Sequence, residues 1–403
     1  MAEVILKAGR EKSLLRHHPW IFSGAIHHAD ENIALGETVD LLSFDKEFLA
    51  RASYSPNSQI RARIWTFEDE AVDQEFFRKR IRSAIQSRDA RGLRRDTDSY
   101  RLIYAESDSL PGLIVDRYGD VLVLQSLTAG SEFWKDTVTD ILLEETGLTT
   151  VYERSDADVR DLEGLEPRVG VLRGTIPPLP LTIHEHSLIF NVNFAGGHKT
   201  GFYLDQRRNR LRVRELAKDK DVLDCFCYTG GFTVNALAGK AKSVLSVDSS
   251  ADALAFCKEN VVLNQLDETR HIPSRSEAKW TILEGDVFHL LRKFRDEGRS
   301  FDMVILDPPK FAPTAAHAEK AARAYKDINL FAFKLLRPGG MLVTFSCSGG
   351  VDEGLFQKIV AGAALDAGVD AQIIEHLSQA PDHPVALNFP EGAYLKGLIC
   401  LRM

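Results

Sequence analysis

Val222-Leu-Asp-Cys-Phe-Cys-Tyr-Thr-Gly-Gly-Phe232 reads as an apolar strand, a turn carrying two adjacent glycines, and the opening of a helix. Glycines at such a point let the backbone approach a ligand closely where a helix begins. The same rhythm continues downstream. Apolar runs at Ser243 to Asp248, Thr281 to Asp286, Phe301 to Asp307 and Gly340 to Ser346 each close on a polar or small residue. Helical stretches at Thr233 to Ala238, Ala251 to Asn264 and Ala318 to Leu336 lie between them. This alternation predicts an α/β domain, a Rossmann-like, mostly parallel doubly wound sheet whose ligands bind at the carboxyl ends of the strands. Further elements are expected at Asp352 to Gly368, Gln372 to Leu377 and Gly397 to Arg402.

Upstream the pattern differs. Residues 1–72 carry short extended runs, Val4 to Leu6, Thr38 to Phe44, Phe48 to Tyr54 and Ile60 to Trp65, which predict a small β barrel or sandwich. Asp73 to Arg91 reads as a basic amphipathic helix. Leu113 to Asp116 and Val121 to Ser126, joined through Tyr118-Gly-Asp120, give a hairpin signal. With a helix over Phe133 to Thr146 and extended runs at Thr149 to Arg154 and Leu188 to Val192, they predict a small central α+β domain. Thr175-Ile-Pro-Pro-Leu-Pro180 is a plausible linker. The expected division is 1–72, 73–190 and 191–403, which suits a chain too long for one ordinary core.

A hydrophobic fraction of 44% and a charged fraction of 27% are those of a globular protein. Met1 to Arg16 lacks the apolar core of a signal peptide, and no stretch approaches membrane-spanning length. The five cysteines form no CxxC pair, so neither a zinc site nor a redox motif is indicated, and no metal is expected. A cytoplasmic protein with reduced thiols follows. The net charge of −8 hides two basic clusters, nine basic residues between Arg78 and Arg101, and Arg207, Arg208, Arg210, Arg212 and Arg214. Each cluster alone is better read as a solvated helix face, although a local basic face would permit RNA contact.

The strand ends suggest the cofactor. Asp248 could accept hydrogen bonds from ribose hydroxyls and Asp286 could hold an adenine amino group. As single residues they would be read as helix caps; in register behind Gly230-Gly231 they favour a nucleoside. The turn lacks the GxGxxG spacing of a dinucleotide site. Asp224, Phe226 and Tyr228 suit a cationic amino-acid cofactor, S-adenosyl-L-methionine, better than a pyrophosphate.

Asp307-Pro-Pro-Lys-Phe311 and Ser346-Cys-Ser348 follow the last two strands of the parallel pattern. The prolines stiffen the turn and fix the direction of Asp307. Carbon 5 of a pyrimidine is too weak a nucleophile to take a methyl group unaided, whereas a thiolate added at carbon 6 makes it an enamine carbon. Cys347 is placed for that role, and Asp307 for hydrogen bonds to ring nitrogen 3 and the exocyclic amine. Cys225, Cys227, Cys257 and Cys400 read as packing residues. No base for the carbon 5 proton stands out; Lys310, Tyr325 and water are the candidates.

With those residues in view, the chain resembles, end to end, the large-subunit ribosomal RNA cytosine-C5 methyltransferases with an N-terminal PUA domain. The resemblance rests on Leu6-Lys-Ala-Gly-Arg10, Arg16-His-His-Pro-Trp-Ile-Phe-Ser-Gly24, Tyr152-Glu-Arg-Ser-Asp-Ala-Asp158 and Lys199-Thr-Gly-Phe-Tyr-Leu-Asp-Gln-Arg207. It rests further on the motif around Gly230, on Asp307 to Phe311, on Tyr325-Lys-Asp-Ile-Asn329 and on Ser346 to Ser348. His198 stands where the family pattern has Gln. The resemblance implies a PUA β-barrel, a class I methyltransferase domain, and S-adenosylmethionine-dependent methylation of a specific cytosine in 23S rRNA. Cys347 would be the nucleophile and Asp307 its partner. It implies cofactor contacts from Phe202, Gln206, Asp224, Phe226, Tyr228, Thr229, Gly230, Gly231, Phe232, Asp248, Ser249, Asp286, Val287 and Asp307. RNA would be met by Arg16, His18, Trp20, Lys310 and Phe311. The partner is 23S rRNA or a large-subunit assembly intermediate, with no membrane involved and a homodimer as one possible state. Alternatives are a guanine-nitrogen or uracil-carbon methyltransferase, and a non-catalytic ribosome-assembly RNA-binding protein.

Overall fold

The computed structural model describes residues 1–196, 201–266, 280–311 and 318–403. The first sheet has six strands: β1 (Ala2–Leu6), β2 (Trp20–Phe22), β3 (Ile26–Ala29), β4 (Thr38–Leu42), β5 (Phe48–Tyr54) and β6 (Ile60–Thr66), in the order β2-β6-β5-β4-β1-β3. Alternate residues Val39 and Leu41, Ala50 and Ala52, and Ala62 and Ile64 face one core with Val4, Leu6 and Ile21. β2 and β3 were not expected. They have three and four residues beside short 3-10 turns, too few for a period-two pattern to register.

α1 (Gln74–Ala90) begins where Asp73 accepts the Phe76 amide at 3.0 Å, and it buries Phe76, Phe77, Ile81 and Ala84 along one face. The second sheet contains β7 (Ser99–Tyr104), β8 (Leu113–Tyr118), β9 (Val121–Ser126), β10 (Thr150–Ser155) and β11 (Arg168–Arg173), ordered β11-β10-β9-β8-β7. The β8–β9 hairpin turns through Gly119 and Asp120. The helix expected over Phe133 to Thr146 is divided at Trp134 into α2 (Ala129–Phe133) and α3 (Lys135–Thr146). Thr128 sets the earlier start by capping the Ser131 amide, a signal masked in sequence by Gly130. β12 (Leu181–Glu185) and β13 (Leu188–Val192) follow.

The third sheet carries the strand–helix alternation. Its elements are α4 (Arg207–Leu216), β14 (Asp221–Cys225), α5 (Gly231–Ala238), β15 (Ser243–Asp248), α6 (Ala251–Leu263), β16 (Trp280–Glu284) and α7 (Val287–Asp296). They continue with β17 (Phe301–Leu306), α8 (Ala318–Leu335), β18 (Leu336–Ser346), α9 (Glu353–Ala367), β19 (Ala371–Ser378) and β20 (Lys396–Arg402). The order is β16-β15-β14-β17-β18-β20-β19. The first five strands are parallel, and β20 enters antiparallel between β18 and β19. Strands buried on both faces account for the unbroken apolar runs Val222 to Leu223 and Met303 to Leu306. Strand order reverses between β14 and β17, so the crevice for a ligand opens at their carboxyl ends.

Residues 1–185, 192–204 and 381–392 form one compact unit; residues 186–191, 205–380 and 393–403 form the other. The first holds both the six-stranded and the five-stranded sheets, and the second the seven-stranded sheet. Among the described residues no helix is long and apolar enough to cross a membrane.

Candidate active site

The loop after β14 is wound tightly. Phe226, Tyr228 and Gly230 have φ of 60°, 50° and 82°, a left-handed conformation that L side chains adopt only when their surroundings compel it. Those surroundings are visible. Amides of Cys227 and Tyr228 donate to Val247 O at 3.0 Å and Asp248 Oδ2 at 2.9 Å, and Asn260 Nδ2 donates to Thr229 O at 2.9 Å. At Gly230 a Cβ would come within 2.5 Å of Cys257 Sγ, so the loop can pass over α6 only as glycine.

Beneath this loop Asp224 is completely buried. Its Oδ2 accepts the Thr233 hydroxyl at 2.6 Å, while Oδ1 has no hydrogen-bond partner. Burial pushes the Asp224 pKa up to about 7, with the Thr233 bond opposing and the Asp248 charge adding. The buried Thr229 hydroxyl also lacks a partner. An orphaned carboxylate oxygen and hydroxyl beside a glycine turn are what a cationic amino-acid nucleoside would satisfy, so the residues present fit S-adenosylmethionine. Asp248 accepts the amides of Tyr228 and Ser250 on its two oxygens, each at 2.9 Å. Asp286 is exposed and caps α7 through the His289 amide at 2.8 Å. Beside them Ser249 is exposed, while Val287 packs in the main core. Gly231 crosses Arg210, and Phe232 stacks on Phe345 at 5.6 Å. Phe202 is buried in the first unit, where its carbonyl accepts the Tyr118 hydroxyl at 3.2 Å. His198, Lys199 and Thr200 lie outside the described residues.

β17 and β18 are parallel neighbours with Leu306 opposite Thr344, so Asp307 and Cys347 leave the same edge of the sheet on adjacent strands. Gln206 Nε2 donates to Asp307 Oδ1 at 3.0 Å, and Gln206 is itself fixed by Asn209 Nδ2 at 2.6 Å. Burial pushes the Asp307 pKa up to about 7, reinforced by Asp205 and Asp224 and opposed by the Gln206 bond and Arg210. A carboxyl in that state both donates and accepts near neutrality.

Cys347 alone of the five cysteines is not buried. Burial pushes the Cys225 thiol far up and Cys400 to about 12; Cys227, hydrogen-bonded with Cys257, is likewise far up. None of these three is a thiolate at neutral pH. Ser346 and Ser348 beside Cys347 are buried. The Ser348 hydroxyl lies 2.9 Å from that of Tyr325 and accepts the Phe311 amide at 3.1 Å. Lys396 Nζ donates to Ser348 O at 2.8 Å.

Several expectations change. Phe311 is half-buried between Tyr325 and Phe288, at 4.8 and 5.9 Å, and therefore packs rather than presents a free stacking face. Lys310 beside it is exposed. Burial pushes the Tyr325 pKa up against bonds from Ser346 and Ser348, so its phenol keeps its proton and is a poor base. Trp20, expected to meet RNA, is half-buried: its indole donates to Glu106 at 2.8 Å and meets Phe389 edge-on at 4.9 Å. His18 lies 3.3 Å from Glu391, and Arg16 is exposed.

The first basic cluster keeps a solvated face, with Lys79, Arg82, Arg91, Arg94 and Arg95 exposed, while other basic residues are held in ion pairs. Arg88 is buried with Asp108, Arg101 pairs with Asp116, and Arg78 and Arg82 pair with Glu145. In α4, Arg207 and Arg210 are buried and Arg212 pairs with Glu375, leaving Arg208 exposed. Sequence gave no signal for Lys396 at the site, because it is a lysine opening an apolar strand, and Asp205 was quoted only as part of the 199–207 motif, without a role. Asp205 accepts the Tyr394 hydroxyl. Only strand pairing and packing bring them here.

Residues 4–67 match a PUA-like domain family and residues 174–398 an S-adenosylmethionine-dependent methyltransferase family. Ribosomal RNA large subunit methyltransferase I of an Enterobacter strain is 50% identical over 398 residues, covering 98% of each chain. The protein of that name from Vibrio cholerae is 50% identical over 397 residues, again covering 98% of each. A solved Streptococcus mutans chain assigned to the S-adenosylmethionine-dependent methyltransferases superposes over 100% of both chains, with a TM-score of 0.84 at 21% identity; that likeness speaks for the fold.

Proposed function

The chain belongs to the ribosomal RNA large subunit methyltransferase I family and is an S-adenosylmethionine-dependent methyltransferase, and from this we propose that it methylates carbon 5 of a specific cytosine in 23S rRNA through a covalent adduct of Cys347. The observation that carries the proposal is the pairing of Asp307 and Cys347 at adjacent parallel strand ends, where Cys347 is the one cysteine not buried.

The Cys347 thiolate attacks carbon 6, forming the Sγ–C6 bond and driving the ring electrons toward nitrogen 3. Asp307, partly protonated near neutrality, donates to nitrogen 3 and accepts from the exocyclic amine, holding the charge that develops. S-adenosylmethionine, when bound, supplies an electrophilic methyl group. Asp224, with its unpartnered oxygen, would hold the cationic portion; Tyr228, Thr229, Gly230 and Gly231 would line its approach; Asp248, Ser249, Asp286 and Val287 would take the ribose and adenine. Carbon 5 takes that methyl group; its proton then passes to water, and the electron pair of the C5–H bond restores the ring double bond as the Sγ–C6 bond breaks and releases the Cys347 thiolate.

On the same proposal residues 1–72 and 73–190 serve RNA docking and support, and residues 191–403 the chemistry. Arg16 meets phosphate, with Lys310 as the exposed cation beside the strand-end motif. The substrate is free 23S rRNA or an assembly intermediate, met in the cytoplasm, and a homodimer is compatible with either.

Bisulfite mapping of 23S rRNA from cells lacking the protein tests the proposal. One protected cytosine should become convertible, and wild type but not Cys347→Ala should restore its protection. If every protected cytosine remains, carbon 5 methylation of cytosine is wrong; if Cys347→Ala restores protection, the thiolate mechanism is wrong.

A further inference from the structure

We propose that Lys396 is a positioning residue for Cys347, an ammonium strapped across the Ser346-Cys347-Ser348 turn that favours the thiolate both for attack on carbon 6 and for departure. The proposal rests on Cys347 as the nucleophile.

The geometry comes from β20. Lys396 is paired with Ser346 across the β18–β20 ladder, and its Nζ donates to the carbonyl of Ser348 at 2.8 Å. The side chain thus starts opposite the residue before Cys347 and is tied to the residue after it. On its other side Lys396 is paired with Ser378 of β19, so its backbone is held from both neighbours. The next residue explains how closely the strand lies. A Cβ on Gly397 would fall 2.6 Å from the Phe345 ring and 2.9 Å from Leu377 Cβ, so glycine lets β20 settle between these side chains.

Burial lowers the Lys396 pKa, an ionised Cys347 raises it, Lys310 lowers it and Asp352 raises it. Tyr325 faces Cys347 from α8 and keeps its proton. A cation fixed beside a thiol favours the thiolate, and the thiolate in turn keeps the amine protonated. The step is balanced without a co-reactant: the Sγ–H bond breaks, its electron pair stays on sulfur, and the proton passes to water while Lys396 keeps its own. The same ammonium stabilises the sulfur that leaves carbon 6.

Iodoacetamide alkylation of the full-length protein, followed across pH by mass spectrometry of the Cys347 peptide, tests this, with Cys347→Ala as the blank. Lys396→Met and Lys396→Gln should alkylate about tenfold more slowly at pH 7, with the half-maximal pH moved up by about one unit. Lys396→Arg should restore most of the rate, and methylation by the neutral variants should recover as pH rises. An unchanged alkylation profile in a folded neutral variant, or no rescue by Arg, would overturn the assignment. The profile needs no RNA, so it is separable from the nucleophile itself, which fails only if Cys347→Ala still methylates.

Discussion

Asp224 and Asp307 each have a folded-state pKa raised from 3.8 to about 7. Below pH 3.8 both are protonated in the folded and the unfolded chain. As pH rises from there to about 7 the unfolded chain ionises first, so their contribution to stability falls across that window and stays low above it, a loss on the order of a few kcal/mol. Asp224→Asn should therefore raise the melting temperature of the ligand-free protein more at pH 8 than at pH 5.5; an equal rise at both would refute the assignment. A cationic cofactor reverses the preference, because it favours ionised Asp224. S-adenosylmethionine affinity should climb with pH to about 7 and then level, with proton release visible by calorimetry in buffers of different ionisation enthalpy. Asp224→Asn should abolish the climb.

The turn from Phe226 to Gly230 shows how an element stores strain for a site. Gly230→Ala combines a strained φ, about 1 kcal/mol, with overpacking against Cys257, about 1–3 kcal/mol. It should lower thermal stability and remove cofactor binding together. Asn260 fixes the same turn from α6, donating to Thr229 O and accepting the Asn191 amide at 2.7 Å. Asn260→Ala should cost about 1–3 kcal/mol and weaken cofactor affinity, both measurable by thermal shift with and without ligand. The parallel strands were legible because they are buried on both faces and so spell apolar runs. β2, β3 and β11 were not, being short or exposed at an edge. At the site, Asp307 and Cys347 announced themselves by following strands, whereas Lys396 acquires meaning only from the antiparallel insertion of β20.

Over the whole molecule, some of the arginines that count as surface charge in the sequence are held in internal ion pairs, Arg88 with Asp108 and Arg101 with Asp116 among them. Arg88 makes two bonds to Asp108, at 2.6 and 2.7 Å, and is nearly inaccessible. Arg88→Ala should destabilise the first unit by about 3–5 kcal/mol, read in chemical denaturation, rather than simply weaken RNA binding. Arg16 is exposed, and Arg16→Gln should reduce the salt-dependence slope of RNA affinity by about one. If Arg82→Gln has the larger effect on that slope, the inference drawn from its pairing with Glu145 is wrong. The chain also passes between the two units at 185–186, 191–192, 204–205, 380–381 and 392–393. The late segment supplies Asp382, whose carbonyl takes Arg88 Nη2 at 3.0 Å and whose carboxylate takes the Arg101 amide at 2.9 Å, and Gly392, whose carbonyl takes the Tyr104 hydroxyl at 2.8 Å. During translation, then, the unit synthesised first is the one that must wait: its last stitches leave the ribosome only after nearly all of the catalytic sheet has been made.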